Sequence, residues 1–269
     1  MAVRERWPSI RLVGVDQPAV LAHALGSGAI ERGVGSIDAI GAPDLVILAA
    51  PVRQNAELLH RLASLGGKAE DSPLRNTVVT DVGGTKRDIV SAAESLGPAF
   101  PFIGGHPIGG AERGGFGFAR PDLFAGRPWI LTPQEQTPAD ALTRVEQFVT
   151  GLGARPARLT PADHDRLMAY LSHLPQLSAS ALMSVVGSRA WAGLRLAGRG
   201  LVDTTRLASS PASVWKDISI NNADFIGEAL DTLIAALTEL RADLQRGDAL
   251  DATFTEAERW RGELMKGRD

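Results

Sequence analysis

Short apolar runs that stop on a small, glycine or acidic residue, with helix-like stretches between them, constrain this chain more than any other feature. Ile10 to Asp16, Asp44 to Pro51, Thr77 to Asp81, Phe102–Ile103 and Trp129 to Thr132 are such runs. Pro18 to Leu25, Asn55 to Leu65, Asp88 to Leu96 and Pro138 to Leu152 carry helical patterning. Runs that are apolar throughout mark strands covered on both faces. Strand–helix alternation marks βαβ units, so the pattern predicts an α/β fold with a parallel sheet. Ligands of such sheets bind beyond the carboxyl ends of the strands. Asp16, Ala50, Pro51, Gly83, Gly84 and His106 all fall at those ends.

The texture changes after Arg158 to Pro161. Leu167, Leu171, Leu174, Leu182 and Val185 recur at helical steps, which predicts one long helix over Ala162 to Val186. Ile226, Leu230, Leu233, Leu237, Leu240 and Leu244 alternate steps of four and three, a heptad-like seam. The chain is therefore expected to be an α/β domain over 1–160 followed by an all-α domain over 161–269. A seam so narrow and leucine-rich packs on other helices. A second copy of the chain is the favoured partner, with packing inside the chain as the alternative.

Composition removes whole classes of function. With 44% hydrophobic residues the 269-residue chain can bury a real core. Its net charge of -3, without any Lys/Arg run, argues against nucleic acid as a partner. Cysteine is absent, so disulfides, thiolate nucleophiles and Cys-type zinc sites are excluded, and no other metal-ligand cluster stands out. A cysteine-free chain fits the reducing cytoplasm. Met1 to Pro8 has no apolar leader, and no apolar run reaches the ~18 residues of a membrane span.

The stretch Phe102 to Gly115 presents the strongest chemical signal. Phe102 and Ile103 read as a strand end, Gly104 and Gly105 as a turn that lets the backbone approach something closely, and Pro107 as a stiff exit. Gly109–Gly110 repeat the device, and Glu112–Arg113 add a charge pair. His106, set between them, has the side chain suited to proton transfer near neutral pH. The alternative is a turn with an incidental surface histidine. Asp16, an acid at a strand end, can accept from both hydroxyls of an adenosine ribose. It would repel a 2′-phosphate, which favours NAD over NADP; an ordinary strand-end acid is the alternative. Only 15 residues precede Asp16, too few for the strand and Gly-rich turn that normally come before such an acid. Ala2 to Trp7 reads as the tail of the helix that follows that turn. The expectation is an N-terminally incomplete sheet domain, with Met1 an internal start of a longer chain; a degraded cofactor site is the alternative.

These residues resemble the prephenate/arogenate dehydrogenase family of tyrosine biosynthesis. The likeness is carried by Asp44 to Val52, Val79 to Lys86, Gly104 to Glu112, Asp163–His164–Asp165 with Ser172 to Pro175, and Asp203 to Arg206 followed by Ser210–Pro211 and Trp215 to Asp217. The resemblance implies a Rossmann-type domain followed by a helical dimerisation domain, a homodimer, and NAD as cofactor. The implied reaction is oxidative decarboxylation of prephenate to 4-hydroxyphenylpyruvate, or of arogenate to tyrosine. It makes His106 the catalytic histidine, His173 a substrate contact, and Arg206 the clamp on a substrate carboxylate. Glu112 and Asp203 become acids near the pocket mouth, and Trp215 an aromatic beside the substrate. His164 falls on a motif position without an assigned role. Asp16, Ala50, Pro51, Asp81, Gly83, Gly84 and Thr85 become the cofactor-binding set. Two positions depart from the family: Gly84 stands where a serine is usual, and Ala111 where threonine is frequent. Ala111 leaves substrate preference open, while Gly84 and the missing Gly-rich turn motivate a rival expectation, a catalytically silent paralogue that binds a cyclohexadienyl acid.

Overall fold

The computed structural model describes residues 1–66, 74, 76–97, 99–109 and 115–266. Ala111 and Glu112 lie outside the described residues. The first part of the chain runs α1 Ala2–Arg6, β1 Val13–Val15, α2 Pro18–Gly26, β2 Arg32–Val34, β3 Leu45–Leu48, α3 Val52–Gly66, β4 Val78–Asp81, α4 Arg87–Ser95, β5 Phe102–Pro107, β6 Pro128–Thr132, α5 Ala139–Gly151 and β7 Arg155–Arg158. Helices follow: α6 Pro161–Met168, a π turn at Ala169–His173, α7 Leu174–Ala190, α8 Arg199–Thr204, α9 Ala212–Asn221, α10 Ala223–Asp243 and α11 Asp248–Lys266.

The strands form two sheets, a parallel β1–β2 pair and a five-stranded sheet in the order β3-β4-β5-β6-β7. The larger sheet is mixed, which corrects the expectation of parallel pairing throughout. β5 pairs parallel to β4 only at Phe102 and Ile103, and then antiparallel to β6 from Gly104 to Pro107. The two glycines expected in a turn are therefore inside a strand. β2 and β7 escaped the sequence reading because neither is an apolar run. β7 is an edge strand, fully exposed, and its Arg155-Pro-Ala-Arg158 composition discourages pairing with another chain.

Both faces of the large sheet are covered. Val78, Ile103, Trp129 and Leu131 pack against Ala141, Val145 and Val149 of α5, with the stacked rings of Trp7 and Phe148 at the margin. On the other face Leu48 and Val79 meet Leu59 and Leu62 of α3 and Ile89 and Val90 of α4. Burying each large apolar side chain contributes about 1.5–3 kcal/mol, which makes this sandwich the rigid base for what projects from its strand ends.

The chain divides into two compact units, Met1–Ala223 and Asp224–Asp269. Residue 160 marks a change from strands to helices, and α6 to α9 stay within the first compact unit. Within the second, Leu237 and Leu244 of the heptad-like seam are 56% and 65% exposed. Among the described residues no helix is long and apolar enough to cross a membrane.

Candidate active site

The site is built on the end of β4. Asp81 is buried and uses both carboxylate oxygens internally. Oδ1 accepts from the Gly105 N–H at 2.9 Å, while Oδ2 accepts from the Gly83 N–H at 2.8 Å and pairs with Lys86 Nζ. Lys86 is itself fully buried and donates to the Gly105 carbonyl at 2.7 Å. Burial pulls the lysine pKa below its ordinary value against the pull of the Asp81 charge. The ion pair thus clamps β5 one residue before His106. The glycines are there because neighbours leave no room. A Cβ at Gly104 would lie 2.3 Å from Thr132 Oγ1, and one at Gly105 2.6 Å from the Asp81 carbonyl oxygen.

His106 is half-buried on β5 and meets a second histidine. Its Nδ1 lies 2.8 Å from His164 Nε2, and His164 Nδ1 lies 2.7 Å from Asp165 Oδ1. Asp165, on α6, also accepts from the Lys86 and Arg87 backbone N–H groups at 2.7 and 3.0 Å and from Arg87 Nε at 3.2 Å. The start of α4 thereby spends its unpaired amides on a carboxylate from α6. Burial pushes the Asp165 pKa up, but hydrogen bonds from His164 and these amides outweigh it and hold the carboxyl below its ordinary value. His106 is held well below the ordinary histidine value, first by burial and then by the electrostatic influence of His164, Lys86 and His173.

His173 reaches this cluster through the π turn. In a regular α-helix residues seven apart share a face, whereas residues eight apart sit about 80° off. A π turn adds one residue to a single turn. His173 follows Asp165 by eight positions and so takes the angular slot of the seventh. Pro175 supplies a local reason: it cannot donate to the Leu171 carbonyl, and just before it the Leu174 N–H bonds back to the Ala169 carbonyl. The buried face of this helix carries four polar side chains, His164, Asp165, His173 and Gln176, beside Met168, Ala169 and Ala179, while Leu171 and Val185 are 65% and 60% exposed. This corrects the reading of one uninterrupted helix.

Asn222, just beyond α9, completes the cluster. Its Nδ2 donates to the Asp165 carbonyl at 2.9 Å and lies 3.2 Å from His173 Nδ1, while its Oδ1 accepts from Arg87 Nη2 at 3.0 Å. The Trp215 ring meets His173 edge-on at 6.0 Å between centroids. Burial depresses the His173 pKa to about 4, with the Asp165 charge opposing and His164 adding to the effect.

The structure therefore gathers His106, His173 and Trp215 around one cluster. α9 also covers the β4 turn: Ile218 would lie 3.4 Å from a Cβ at Gly84, and Asp217 accepts from the Arg53 N–H at 3.2 Å. Arg206 is exposed on a 3₁₀ turn, Arg206–Ser209, that Gln176 docks onto α7 by donating to the Leu207 carbonyl at 2.7 Å. Asp203 is exposed on α8. Asp81 and Thr85 are enclosed behind the turn that half-buried Gly83 and Gly84 form. Asp16 stands exposed after β1. Sequence reasoning missed Lys86, Asp165, Gln176 and Asn222 and gave His164 no task. The advance signals were Lys86 at the end of one recognised motif and His164–Asp165 inside another; Gln176 and Asn222 had none, since their partners are remote in the chain.

The donor set suits a dinucleotide. Among the described residues Asp16 accepts from its neighbour's N–H, Gln17 at 2.7 Å, and keeps acceptor capacity for a ribose diol. Asn55 Oδ1 accepts from Ala50 N–H at 3.0 Å and fixes the Ala50–Pro51 turn, while its Nδ2 is buried without a partner among the described residues.

A histidine presented at the strand ends of a doubly covered sheet thus faces a second histidine from a helical layer, an arrangement suited to proton transfer beside a ligand bound at those ends. Residues 1–157 match the prephenate dehydrogenase nucleotide-binding domain, and residues 160–256 match the prephenate dehydrogenase dimerization domain. The prephenate dehydrogenase of Bacillus subtilis is 31% identical over 256 residues, covering 93% of this chain and 67% of the relative. The cyclohexadienyl dehydrogenase of Zymomonas mobilis is 30% identical over 240 residues, covering 86% and 79%. The crystal structure of Aquifex aeolicus prephenate dehydrogenase in complex with hydroxyphenyl propionate and NAD+ superimposes with a TM-score of 0.87 at 27% identity, covering 98% of this chain and 92% of that one. The chain belongs to the prephenate dehydrogenase family.

Proposed function

We propose that this chain is an NAD-dependent prephenate dehydrogenase that converts prephenate to 4-hydroxyphenylpyruvate in tyrosine biosynthesis. One observation carries the reading: His106 spends Nδ1 on His164 and keeps Nε2 for a substrate, with its pKa held down so that the nitrogen is a free base at neutral pH. His106 accepts the proton of the ring hydroxyl. Bound NAD supplies the acceptor for the hydride that leaves the same carbon. The bond to the departing carboxylate then gives its electron pair through the ring to the new carbonyl oxygen, which takes the proton back from His106 as CO2 leaves and the ring becomes aromatic. Arg206 holds a carboxylate with its planar fork. His173 and Trp215 flank the substrate, and Asp203, exposed on α8, stands at the mouth. Asp16, Ala50, Pro51, Gly83 and Gly84 hold the cofactor, with Asp81 and Thr85 shaping the turn from behind.

Trp191, Leu196, Val185 and Val202, 73%, 82%, 60% and 62% exposed, form the apolar surface that a homodimer would cover. We assign the enzyme to the cytoplasm, where a cysteine-free chain is at home. Arogenate is the second reading, favoured by the 30% identity to a cyclohexadienyl dehydrogenase. Purified chain mixed with NAD and each substrate should reduce the cofactor, prephenate faster than arogenate. Reduction of NAD with neither would remove the proposal.

A further inference from the structure

Two imidazoles face the same site, and each has its Nδ1 tied to a different anchor. The identity of each anchor decides where the ring hydrogen sits. Asp165 is an ionised carboxylate and can only accept, so His164 Nδ1, at 2.7 Å, must carry a hydrogen. The Asp165 charge is already matched by the Arg87 guanidinium at 3.2 Å, so nothing calls for an imidazolium at His164. A neutral His164 then has a bare Nε2, and that nitrogen lies 2.8 Å from His106 Nδ1. His106 must donate there, which leaves its own Nε2 bare.

The second ring obeys the opposite rule. Arg87 can only donate, so the Asn222 atom 3.0 Å from Arg87 Nη2 is the amide oxygen. The other end of Asn222 is therefore the NH2 group. One of its hydrogens goes to the Asp165 carbonyl at 2.9 Å and the other to His173 Nδ1 at 3.2 Å. Nδ1 of His173 accepts, so its hydrogen sits on Nε2.

We infer that Asp165, acting through His164, and Arg87, acting through Asn222, impose opposite tautomers on the two site histidines, a bare Nε2 on His106 and an Nε2–H on His173. His164, Asp165 and Asn222 are positioning residues, and none of them need touch the substrate. The arrangement assigns complementary tasks to two identical side chains: the strand histidine takes a proton, and the helix histidine donates a hydrogen bond to an anionic or carbonyl oxygen. The π turn brings His173 onto the face of Asp165, where Asn222 bridges the Asp165 carbonyl and His173 Nδ1.

This inference rests on the reading of His106 as base and His173 as substrate contact, yet the tautomers can be measured without substrate or cofactor. In 15N-labelled full-length protein, long-range 1H–15N correlations report which nitrogen of each histidine is protonated, with His106→Asn and His173→Asn variants assigning the signals. The expected result is hydrogen on Nδ1 of His106 and on Nε2 of His173. Hydrogen on Nε2 of His106, or a doubly protonated His164, overturns the inference even if the enzyme is active. Kinetics give a second test. His164→Phe keeps a ring but frees the His106 tautomer, so kcat should fall on the order of 100-fold, the range of a general base, with little change in KM. Asn222→Asp can no longer donate to His173, so KM should rise about tenfold, the effect of one lost hydrogen bond, with a smaller change in kcat. Equal loss in both parameters for both variants would show mere structural damage and sink the assignment of roles. Should either variant fail to fold, the spectrum of the unmodified protein decides.

Discussion

The two histidines of the site are held by two different kinds of structure. On the strand side, β5 is fixed by backbone: Gly104 and Gly105 lie where no side chain fits, and the Asp81–Lys86 pair grips both polar groups of Gly105. On the helix side, His173 is fixed by side chains: Asp165, Asn222 and Arg87 form a hydrogen-bonded net around a widened turn. Crowding gives a hard stop and little to adjust. A net of side chains can be retuned one hydrogen bond at a time, and it titrates. The position of the base thus belongs to the part of the fold least tolerant of change, and the substrate contact to a part that can vary.

The strongest blow to the strand side should come from Lys86→Met. It leaves the Asp81 carboxylate buried without its partner, and removing one member of a buried pair costs about 3–5 kcal/mol. The midpoint of urea unfolding measures it. A loss under ~1 kcal/mol would mean that water reaches Asp81 and that the clamp is not dry. Gly105→Ala comes next. Its methyl would meet the Asp81 carbonyl oxygen at 2.6 Å, which is backbone and cannot swing aside. Overpacking of this kind costs about 1–3 kcal/mol, and the displaced strand should take activity with it.

The helix side should break with acid. The pKa of His173 is depressed to about 4 in the folded protein, against ~6.5 when unfolded. Between those values the unfolded chain binds the extra proton, so stability is full above pH ~6.5 and is lost as pH falls toward ~4. The loss is on the order of 3 kcal/mol. His106 shifts in the same direction, and Asp165, also depressed, extends the loss to lower pH. Unfolding midpoints across this range should slope for the native chain and flatten in part for His173→Phe. Equal slopes would move the acid sensitivity elsewhere.

How far each side could be read from the sequence follows from the same contrast. The apolar lead and glycines before His106 announced a constrained strand end, because the physical cause is local enough to leave a local mark. Even there the glycines were misread as a turn, since Thr132 and the Asp81 carbonyl, which crowd them, are remote in the chain. The leucines of the long helix announced the helix but not its covered face, and the structure buries His164, Asp165, His173 and Gln176 while Leu171 stays exposed. Periodicity cannot say which of two faces is covered within one chain, and the one-residue shift of a π turn leaves no pattern beyond Pro175. Asn222 carries no signal at all: an asparagine after a helix becomes an anchor only when Arg87 and Asp165 arrive from elsewhere.

A surface variant tests the outer face of the same helix. Val185→Lys replaces a side chain that is 60% exposed in the single chain, so its unfolding free energy per chain should change by less than about 0.5 kcal/mol. If a second copy covers this face, as proposed, sedimentation should show a lighter species than the unmodified protein. A particle of unchanged mass would remove this face from the dimer contact.

The smallest effect is expected at the one strand-side position where crowding is absent. Gly84 lies in the β4 turn, and a Cβ there would meet Ile218 at 3.4 Å, an ordinary van der Waals contact with a flexible side chain. Gly84→Ser should therefore leave stability within about 0.5 kcal/mol of the native value, unlike Gly105→Ala on the neighbouring strand. Its interest is kinetic. The added hydroxyl would face α9, the element that carries Trp215 against His173, so it should alter KM before it alters the unfolding midpoint. A drop in stability above ~1 kcal/mol would show that Ile218 cannot yield, and that crowding governs this turn as it governs β5.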